Sequence, residues 1–355
     1  MTNFLQLHLL TSYPPACLNR DDLNRPKTAK MGGIDRLRSS SQSLKRSWRT
    51  SEQFVAALAG HMGTRTKLKG VKVYEQLVAA GIKEKDAKEW AQAIAGCFGK
   101  LKGKKDDKPS NDLEIEQLAH FSPEEENAIR TLGDILGKER RPPTGEELKL
   151  LRKDHTAVDI ALFGRMLADT PSANTEAACQ VAHAITVHRA AVEDDFFTAV
   201  DDLNKREVDA GSAHMGEQGF GAGLFYQYIC IDCDLLREHL GALLAEKAIQ
   251  ALIEAAATVA PTGKQNSFAS RAWAYYVLAE KGTRQPRSLS LAFMKPVPEG
   301  DMLNDAIAAL ETMRNNLDKV YYGGKSLDSQ SINAMSGEGD FAAIKQWAAQ
   351  CGEAA

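Results

Sequence analysis

Hydrophobic and polar positions alternate at the start of the chain. In FLQLHLL, Leu5, Leu7 and Leu9 fall on one face of an extended chain, and Gln6 and His8 fall on the other. Such alternation is typical of a half-buried β-strand. Further strands are predicted at VDIALFGRM, QVAHAITVH, FGAGLFYQYICID and SLSLAFMKPV. The pattern therefore predicts a sheet whose strands come from distant parts of the chain.

A helical period replaces this alternation in two regions. Helices are predicted at 71–80, 84–97, 113–119 and 123–137, with GKLKGKKDDKPSND and KERRPPTGEE as exposed linkers. Another helix, LLREHLGALLAEKAIQALIEAAATVAP, stops at Pro261. We infer an α+β fold of the ferredoxin-like kind, in which residues 1–55 and 155–355 form the sheet domain and residues 56–154 an inserted helical subdomain.

One predicted helix has two chemically different faces. In RSSSQSLKRSWR, Ser39 followed by Gln42 fits a capping box, which predicts a helix running towards Leu58. At helical spacing one face carries Gln42, Lys45, Arg46 and Arg49, and the opposite face carries Leu44, Trp48, Val55 and Leu58. Cations, serine hydroxyls and free backbone N–H groups at the helix start suit a phosphate. The alternative is an ordinary surface helix with a solvated basic face.

The distribution of charge along the chain says more about possible ligands than the net charge does. The 355-residue chain has a net charge of −3 and is 43% hydrophobic, which is enough for a substantial core but does not indicate a nucleic-acid binder. Residues 20–49, however, hold nine Lys/Arg against three Asp. A basic patch on an otherwise acidic body is typical of a protein that binds a polyanion in one place. Without a long apolar run or a signal segment, we expect a soluble, cytoplasmic protein with no membrane partner.

Cysteines and histidines give no metal-site pattern. Cys230 and Cys233 form a single CxxC with no second pair at zinc-site spacing, so we interpret them as reduced structural thiols on opposite faces of a strand. His183 and His188 lie five residues apart in one predicted strand and therefore on opposite faces, which favours structural histidines. We expect neither a metal nor a cofactor.

Adjacent carboxylates in the basic loop leave two interpretations open. Asp21 and Asp22 could hold a divalent metal beside a phosphodiester. They could instead hold the shape of the loop by pairing with Arg20, Arg25 or Lys27, and we favour this because two-metal chemistry requires more converging carboxylates.

Taken together, several segments resemble the CasC-type backbone subunit of Cascade, the type I-E CRISPR surveillance complex of the RAMP superfamily. The resemblance rests on SYPPACLNRDDLN, MGG before SSSQSLKRSWR, VDIALFGRM, AHAIT with His188, FFTAVDDL, GSAHMG and FYQY, in the family's order. It covers roughly residues 1–50 and 155–235. The resemblance implies a modified RRM-like palm, the helical insertion as fingers, and a protruding hairpin over residues 196–223 as a thumb.

The family's function implies a set of RNA contacts. Family members are non-catalytic scaffolds: copies polymerise along one CRISPR RNA and kink it at intervals, a target DNA strand pairs with the guide, and the partners are other Cascade subunits and a recruited helicase-nuclease. Carried over to this chain, the phosphate contacts are Arg20, Lys27, Ser40, Gln42, Lys45 and Arg49; Met166 packs against bases and Thr198 faces RNA at the thumb base. The neighbouring cations Arg38, Arg46 and Arg165 complete the predicted RNA-binding set.

Two other classes of function compete with this scaffold. One is a metal-dependent endoribonuclease that uses Asp21 or Asp22, since some type III relatives cleave bound RNA with a loop aspartate. The other is a helical adaptor that binds only proteins. The basic face beside the serine-rich helix start favours the RNA scaffold, because backbone contacts accept any guide sequence.

Overall fold

The computed structural model describes residues 1–103, 111–199 and 214–352. Its strands are β1 (Phe4–Ala16), β2 (Thr28–Met31), β3 (Ile34–Ser39), β4 (Thr64–Thr66), β5 (Ala119–Phe121), β6 (Cys179–Val181), β7 (Ala184–Thr186), β8 (Glu193–Ala199), β9 (His214–Asp232), β10 (Ala274–Gly282) and β11 (Asp328–Asn333). Its helices are α1 (Ser41–Arg49), α2 (Glu52–Ala57), α3 (Lys69–Ala79), α4 (Glu84–Gly96), α5 (Pro123–Glu139), α6 (Val158–Phe163), α7 (Cys233–Leu240), α8 (Ala242–Thr258), α9 (Gln265–Phe268), α10 (Met302–Tyr322) and α11 (Phe341–Ala349).

The chain divides into two compact units. The first, which we call the sheet unit, comprises residues 1–54, 180–232 and 249–355. The second, the helical unit, comprises residues 55–179 and 233–248. Residues 155–179 and 233–248 thus cluster with the helical insertion, although the sequence places them in the sheet domain. Within the described ranges, no helix has both the length and the apolar character needed to cross a bilayer.

An antiparallel sheet built around β1 organises the sheet unit. β1 pairs with β9 on one side and β10 on the other, so that Leu7 lies opposite Ile229 and Ala279. The strand order is β11-β10-β1-β9-β7-β3-β2, and β6 and β8 also pair with β9. Antiparallel strands combined with separate helices confirm the predicted α+β class.

Both faces of β1 are buried, which corrects the expectation of a half-buried strand. Gln6 is 1% exposed and His8 is fully buried. Each polar side chain has a partner: His8 Nδ1 lies 2.9 Å from Tyr226 Oη, and Tyr228 Oη donates to Gln6 Oε1 at 2.9 Å. A buried polar residue that is hydrogen-bonded does not need a solvent-facing position, so period-two alternation overstated exposure here.

A carboxylate next to β1 is buried among basic side chains. Glu280 on β10 is fully buried, and its carboxylate lies 2.9 Å from Arg287, 3.0 Å from Arg314 and 3.3 Å from His8. Burial alone would raise the pKa of Glu280, but its contacts with His8 and Arg287 override burial and lower that pKa to about 2. The ionised form is therefore the one that stabilises the fold.

We expect this carboxylate to contribute stability above its ordinary pKa of 4.5 and to lose that contribution as the pH falls towards about 2. The loss should be roughly 3 kcal/mol, since one pKa unit corresponds to about 1.4 kcal/mol. Urea unfolding between these pH values should show this slope in the wild type. Glu280→Gln should be less stable at neutral pH and flatter across the window; an identical slope in both would show that other carboxylates control acid unfolding.

Helices of the helical unit enclose one hydrophobic core. Val73 and Leu77 on α3, Ile94 on α4, and Leu132 and Leu136 on α5 are buried together in it. The predicted helices at 71–80, 84–97 and 123–137 are thereby confirmed as α3, α4 and α5. The helix predicted at 113–119 is wrong: a 3-10 turn ends at Leu113, and β5 begins at Ala119.

Two other predicted elements need correction because apolar runs lack a diagnostic period. VDIALF forms α6, in which Val158 to Leu162 are all buried, and a fully buried run does not distinguish helix from strand. SLSLAFMKPV contains a 3-10 turn, Ser290–Phe293, while the strand lies in AYYVLAEKG as β10. The long helix that begins at Leu235 is confirmed but is divided at Gly241 into α7 and α8.

The two cysteines of the CxxC motif differ in bonding state. Cys230 lies on β9 as a free buried thiol whose pKa burial raises to about 11. Cys233 begins α7 and is disulfide-bonded, so the prediction of a reduced thiol was wrong for Cys233. Local spacing carries no information about a cysteine partner that is distant in the chain.

Candidate nucleic-acid interface

The loop between β1 and β2 carries Arg20 and Lys27, the first two predicted RNA contacts. Backbone hydrogen bonds within the loop hold its shape. The Lys27 N–H donates to the Asn19 carbonyl at 2.8 Å, and the Asp21 N–H donates to the Arg25 carbonyl at 2.9 Å. Arg20 is exposed, and the Lys27 side chain is half-buried. The loop therefore holds both cations on a fixed backbone frame in the sheet unit.

Asp21 has a local structural role in this loop. Its Oδ1 accepts hydrogen bonds from the N–H groups of Leu23 and Arg25, both at 2.9 Å. Asp21 thus holds the shape of the loop, as the favoured interpretation expects, but it does so through backbone N–H groups and not through the predicted pairing with basic side chains. Asp22 is exposed. No group of three or more His, Cys, Asp or Glu residues that could hold a metal ion occurs in the part of the chain that the structure describes.

Strand β3 brings Arg38 to the same loop. The Arg38 N–H donates to the Lys27 carbonyl at 2.8 Å, and β3 pairs with β2 so that Leu37 faces Thr28. The Arg38 side chain is partly exposed. Arg36, two residues earlier, is fully buried and donates to backbone carbonyls, for example that of Phe293 at 2.7 Å. Arg38 is therefore the cation that this strand offers to the surface.

The start of α1 is tied to the loop through Ser40. Ser40, not Ser39, is the N-cap: its backbone is extended, and its hydroxyl accepts from the Ser43 N–H at 3.3 Å. The Ser40 N–H in turn donates to Asn19 Oδ1 at 2.9 Å. Ser40 is buried. The capping box predicted from Ser39 is thus displaced by one residue, and Ser40 acts as the structural joint between loop and helix.

Helix α1 presents the two faces that its sequence predicts. Leu44 and Trp48 are buried, while Gln42 and Arg46 are exposed. Lys45 and Arg49 lie on the same side as Gln42 and are half-buried. The predicted continuation to Leu58 is wrong, because α1 ends at Arg49 and α2 begins at Glu52; Val55 is 44% exposed.

These three segments form one cationic region of the sheet unit. An open depression of about 330 Å³ lies between the loop and α1, lined by Asn19, Arg20, Asp21, Asn24 and Ser43 among others. We call the region the basic surface, defined by Arg20, Lys27, Arg38, Gln42, Lys45, Arg46 and Arg49. Its cations come from the loop, β3 and α1, which hydrogen bonds hold together, so it can contact several phosphates of one chain.

His183 belongs beside this surface, and the sequence did not assign it there. His183 is exposed, and its Nδ1 lies 3.3 Å from the Ser41 N–H and 3.1 Å from Arg38 Nη1. Partial burial, Arg38 and Lys27 lower the pKa of His183. It does not share a strand with His188 as predicted, because it lies between β6 and β7. Only the pairing of β3 with β7, which places Ser39 opposite Ala184, reveals the proximity.

The predicted contacts Arg165 and Met166 are adjacent in sequence but differ in environment. Both lie in the helical unit after Gly164, whose φ of 80° ends α6. Arg165 is 4% exposed and donates from Nη1 to both oxygens of Glu125, at 2.9 and 2.7 Å. A structural ion pair therefore replaces the predicted RNA contact of Arg165. Met166 is 79% exposed and is accessible to a ligand.

Thr198 lies on the first strand of a β-hairpin. β8 and β9 pair antiparallel from Glu193 opposite Phe220 to Ala199 opposite His214, and Thr198 is exposed. The predicted thumb over 196–223 overlaps this hairpin, but residues 200–213, which include NKREVDAG and the predicted tip, lie outside the described residues. At the other end of the hairpin, Arg25 donates to Asp194 at 2.9 Å. This ion pair connects the hairpin to the loop that carries Arg20 and Lys27.

Comparisons with known proteins add family evidence to this geometry. A family model described as CT1975-like protein matches residues 5–350. A solved structure described as a "CRISPR RNA-guided surveillance complex, pre-nicking" contains a chain similar to this one, with 31% identity, a TM-score of 0.81, and 96% of this chain and 95% of that chain covered. A "CRISPR RNA-guided surveillance complex" chain shares the fold at 24% identity, with a TM-score of 0.70 and coverage of 96% and 94%. No curated protein matches the chain.

Proposed function

The chain belongs to the CT1975-like protein family, and on that premise we propose that it is a CRISPR RNA-binding backbone subunit of a Cascade-type surveillance complex. Copies of the chain would polymerise along one guide RNA in the cytoplasm, beside other subunits of the complex. The thumb hairpins would kink the RNA at intervals. Stretches between kinks would then pair with a target DNA strand, which a recruited helicase-nuclease cuts. The subunit itself would carry out no catalysis.

The basic surface is the observation that carries this proposal. Its cations stand on the loop, β3 and α1, and these segments are fixed to one another through Asn19, Ser40 and the Lys27 carbonyl. Cations on a rigid backbone frame suit phosphates at set positions. Phosphate contacts position a nucleic acid without reading its sequence, which a subunit that must accept every guide requires. The likeness to a surveillance-complex chain over nearly the whole length supports the same assignment.

The nucleic acid that co-purifies with the protein tests the proposal. The chain is expressed with its neighbouring gene products, purified, and the bound nucleic acid is extracted and sequenced. We expect repeat-flanked guide RNAs with the wild type. Arg20→Glu combined with Arg46→Glu should remove most of that RNA, because both side chains are exposed and reversal places two anions opposite phosphates.

A matched control separates site chemistry from net charge. Lys83→Glu with Lys85→Glu makes the same change in net charge at exposed positions of the helical unit. The control should retain the guide RNA. Equal loss of RNA from both variants, or a wild type that carries no RNA, would contradict the proposal.

Met166 provides a separate prediction about RNA geometry. An exposed, flexible thioether can act as a wedge against a base without supplying charge. We therefore expect Met166→Ala to change the chemical-probing pattern of the bound RNA at regular intervals while changing affinity less than about threefold, because no phosphate contact is lost. An unaltered reactivity pattern would argue against a base contact at this position.

The endoribonuclease alternative has its own test. Incubating the protein with RNA and Mg²⁺ or Mn²⁺ should leave the RNA intact under the scaffold proposal. Cleavage that depends on the divalent ion and disappears in Asp22→Ala would replace the scaffold with an enzyme. Asp21→Ala is less informative, because it also removes the acceptor that orders the loop.

A further inference from the structure

We propose that His183 is a neutral hydrogen-bond donor that binds a phosphate oxygen of the guide RNA through Nε2–H. The inference rests on the proposed function and adds to it one residue that sequence analysis interpreted as structural. It also assigns the chemical form of that residue. Two groups contact the other ring nitrogen, Nδ1.

The neighbours of Nδ1 fix the tautomer of the ring. Ser41 N–H lies 3.3 Å and Arg38 Nη1 lies 3.1 Å from Nδ1. A backbone N–H and a guanidinium are both donors with no acceptor capacity. Nδ1 must therefore present its lone pair, and the single proton of the neutral imidazole resides on Nε2.

The charged surroundings keep the ring in this neutral form. Arg38 on β3 and Lys27 at the end of the loop are the charged groups whose fields reach His183, and both oppose protonation of the ring. Protonation would also place a hydrogen on Nδ1, facing the Ser41 N–H and the Arg38 guanidinium. The contacts of Nδ1 with Ser41 and Arg38 therefore orient the ring and also disfavour a second proton on it.

The second ring nitrogen, Nε2, is the one that would reach a ligand. Among the residues that the structure describes, none accepts a hydrogen bond from Nε2, and His183 is exposed. An N–H donor held next to Arg38 and near Lys27 matches an anionic oxygen better than a neutral one. This favours a phosphate over a ribose hydroxyl. His183 would thus extend the basic surface without adding to its charge.

Two substitutions separate the outward donor from the inward acceptor. His183→Asn keeps a carbonyl oxygen near the position of Nδ1 for Ser41 and Arg38 but removes the donor at the Nε2 position. His183→Gln places an amide N–H near the position of Nε2 and leaves the Ser41 N–H without its acceptor. A donor to phosphate predicts weaker binding for His183→Asn than for His183→Gln; a purely structural histidine predicts the reverse order.

The measurement is binding of the full-length protein to a fluorescein-labelled single-stranded RNA at several salt concentrations. We expect His183→Asn to raise the Kd about tenfold, the effect of losing one hydrogen bond to a charged group. The slope of log K against log salt should not change, since a neutral donor releases no counterion. A slope reduced by about 0.7 in His183→Asn would show that the residue binds as a cation and would overturn the proposal.

A DNA oligonucleotide of the same sequence tests which oxygen is bound. The affinity ratio between the wild type and His183→Asn should persist on DNA, because phosphates remain and 2′-hydroxyls are absent. A ratio confined to RNA would overturn the phosphate assignment. Failure of the wild type to bind RNA would contradict the proposed function itself, whereas wild-type binding with an unaffected His183→Asn would contradict only the role of His183.

Discussion

Replacing Arg165 with methionine should lower the free energy of unfolding of the helical unit by about 3–5 kcal/mol. Arg165 and Glu125 are 1% and 0% exposed at their side chains, and their closest N–O distance is 2.7 Å. The guanidinium also donates to the carbonyls of Arg152 and Ala173, at 2.8 and 3.0 Å. Removing it leaves a buried carboxylate without its counter-charge and two carbonyls without donors. Urea unfolding followed by circular dichroism measures the loss.

The neighbouring residue supplies the control for this experiment. Met166 is exposed, so Met166→Ala should change the free energy of unfolding by less than about 0.5 kcal/mol. Combining Arg165→Met with Glu125→Leu should restore only part of the loss, because Glu125 also accepts from the N–H groups of Ser122 and Arg152. If Arg165→Met left stability unchanged and instead reduced RNA affinity, Arg165 would return to the RNA-binding set.

Local sequence patterns correctly predicted those helices and strands in which buried and exposed positions alternate with the period of the element. The two faces of α1 follow from the spacing of Leu44 and Trp48 against Gln42 and Arg46, and no distant residue is needed to see them. β9 is likewise apparent in a long run of aromatic and β-branched residues. α6 and β10 were misassigned or missed because residues 158–162 of α6 and 274–280 of β10 are all buried, which removes the periodic signal.

Site residues were predictable only where one segment supplies the chemistry. The cations of residues 20–49 cluster in sequence, so the basic surface could be located before the fold was known. The roles of Arg165 and His183 depend on partners 40 and 142 to 145 residues away. Arg165 looked like a surface cation because nothing near it in sequence indicates Glu125. His183 looked structural because only the pairing of β3 with β7 brings it to Arg38 and Ser41.

Neutralising three cations of the basic surface together should weaken RNA binding by at least about a hundredfold at low salt. Arg20→Gln, Lys27→Gln and Arg46→Gln remove charge from the loop and from α1 without introducing repulsion. Each phosphate contact with a charged donor is worth about 1.5–3 kcal/mol, and a factor of ten in Kd corresponds to about 1.4 kcal/mol. We expect the three cations to contact separate phosphates, so their losses should largely add.

The salt dependence of RNA binding measures how many phosphate contacts are lost. For a single strand each phosphate contact contributes about 0.7 to the slope of log K against log salt, so the triple variant should lose about 2 from the wild-type slope. The difference in affinity between the two proteins should therefore shrink as salt rises. The matched control neutralises three exposed lysines elsewhere, Lys83→Gln, Lys85→Gln and Lys319→Gln, and should keep the wild-type slope. An equal reduction of the slope in the control would mean that net charge, not the basic surface, sets the affinity. A triple variant that binds more weakly with an unchanged slope would mean that these side chains bind something other than phosphate.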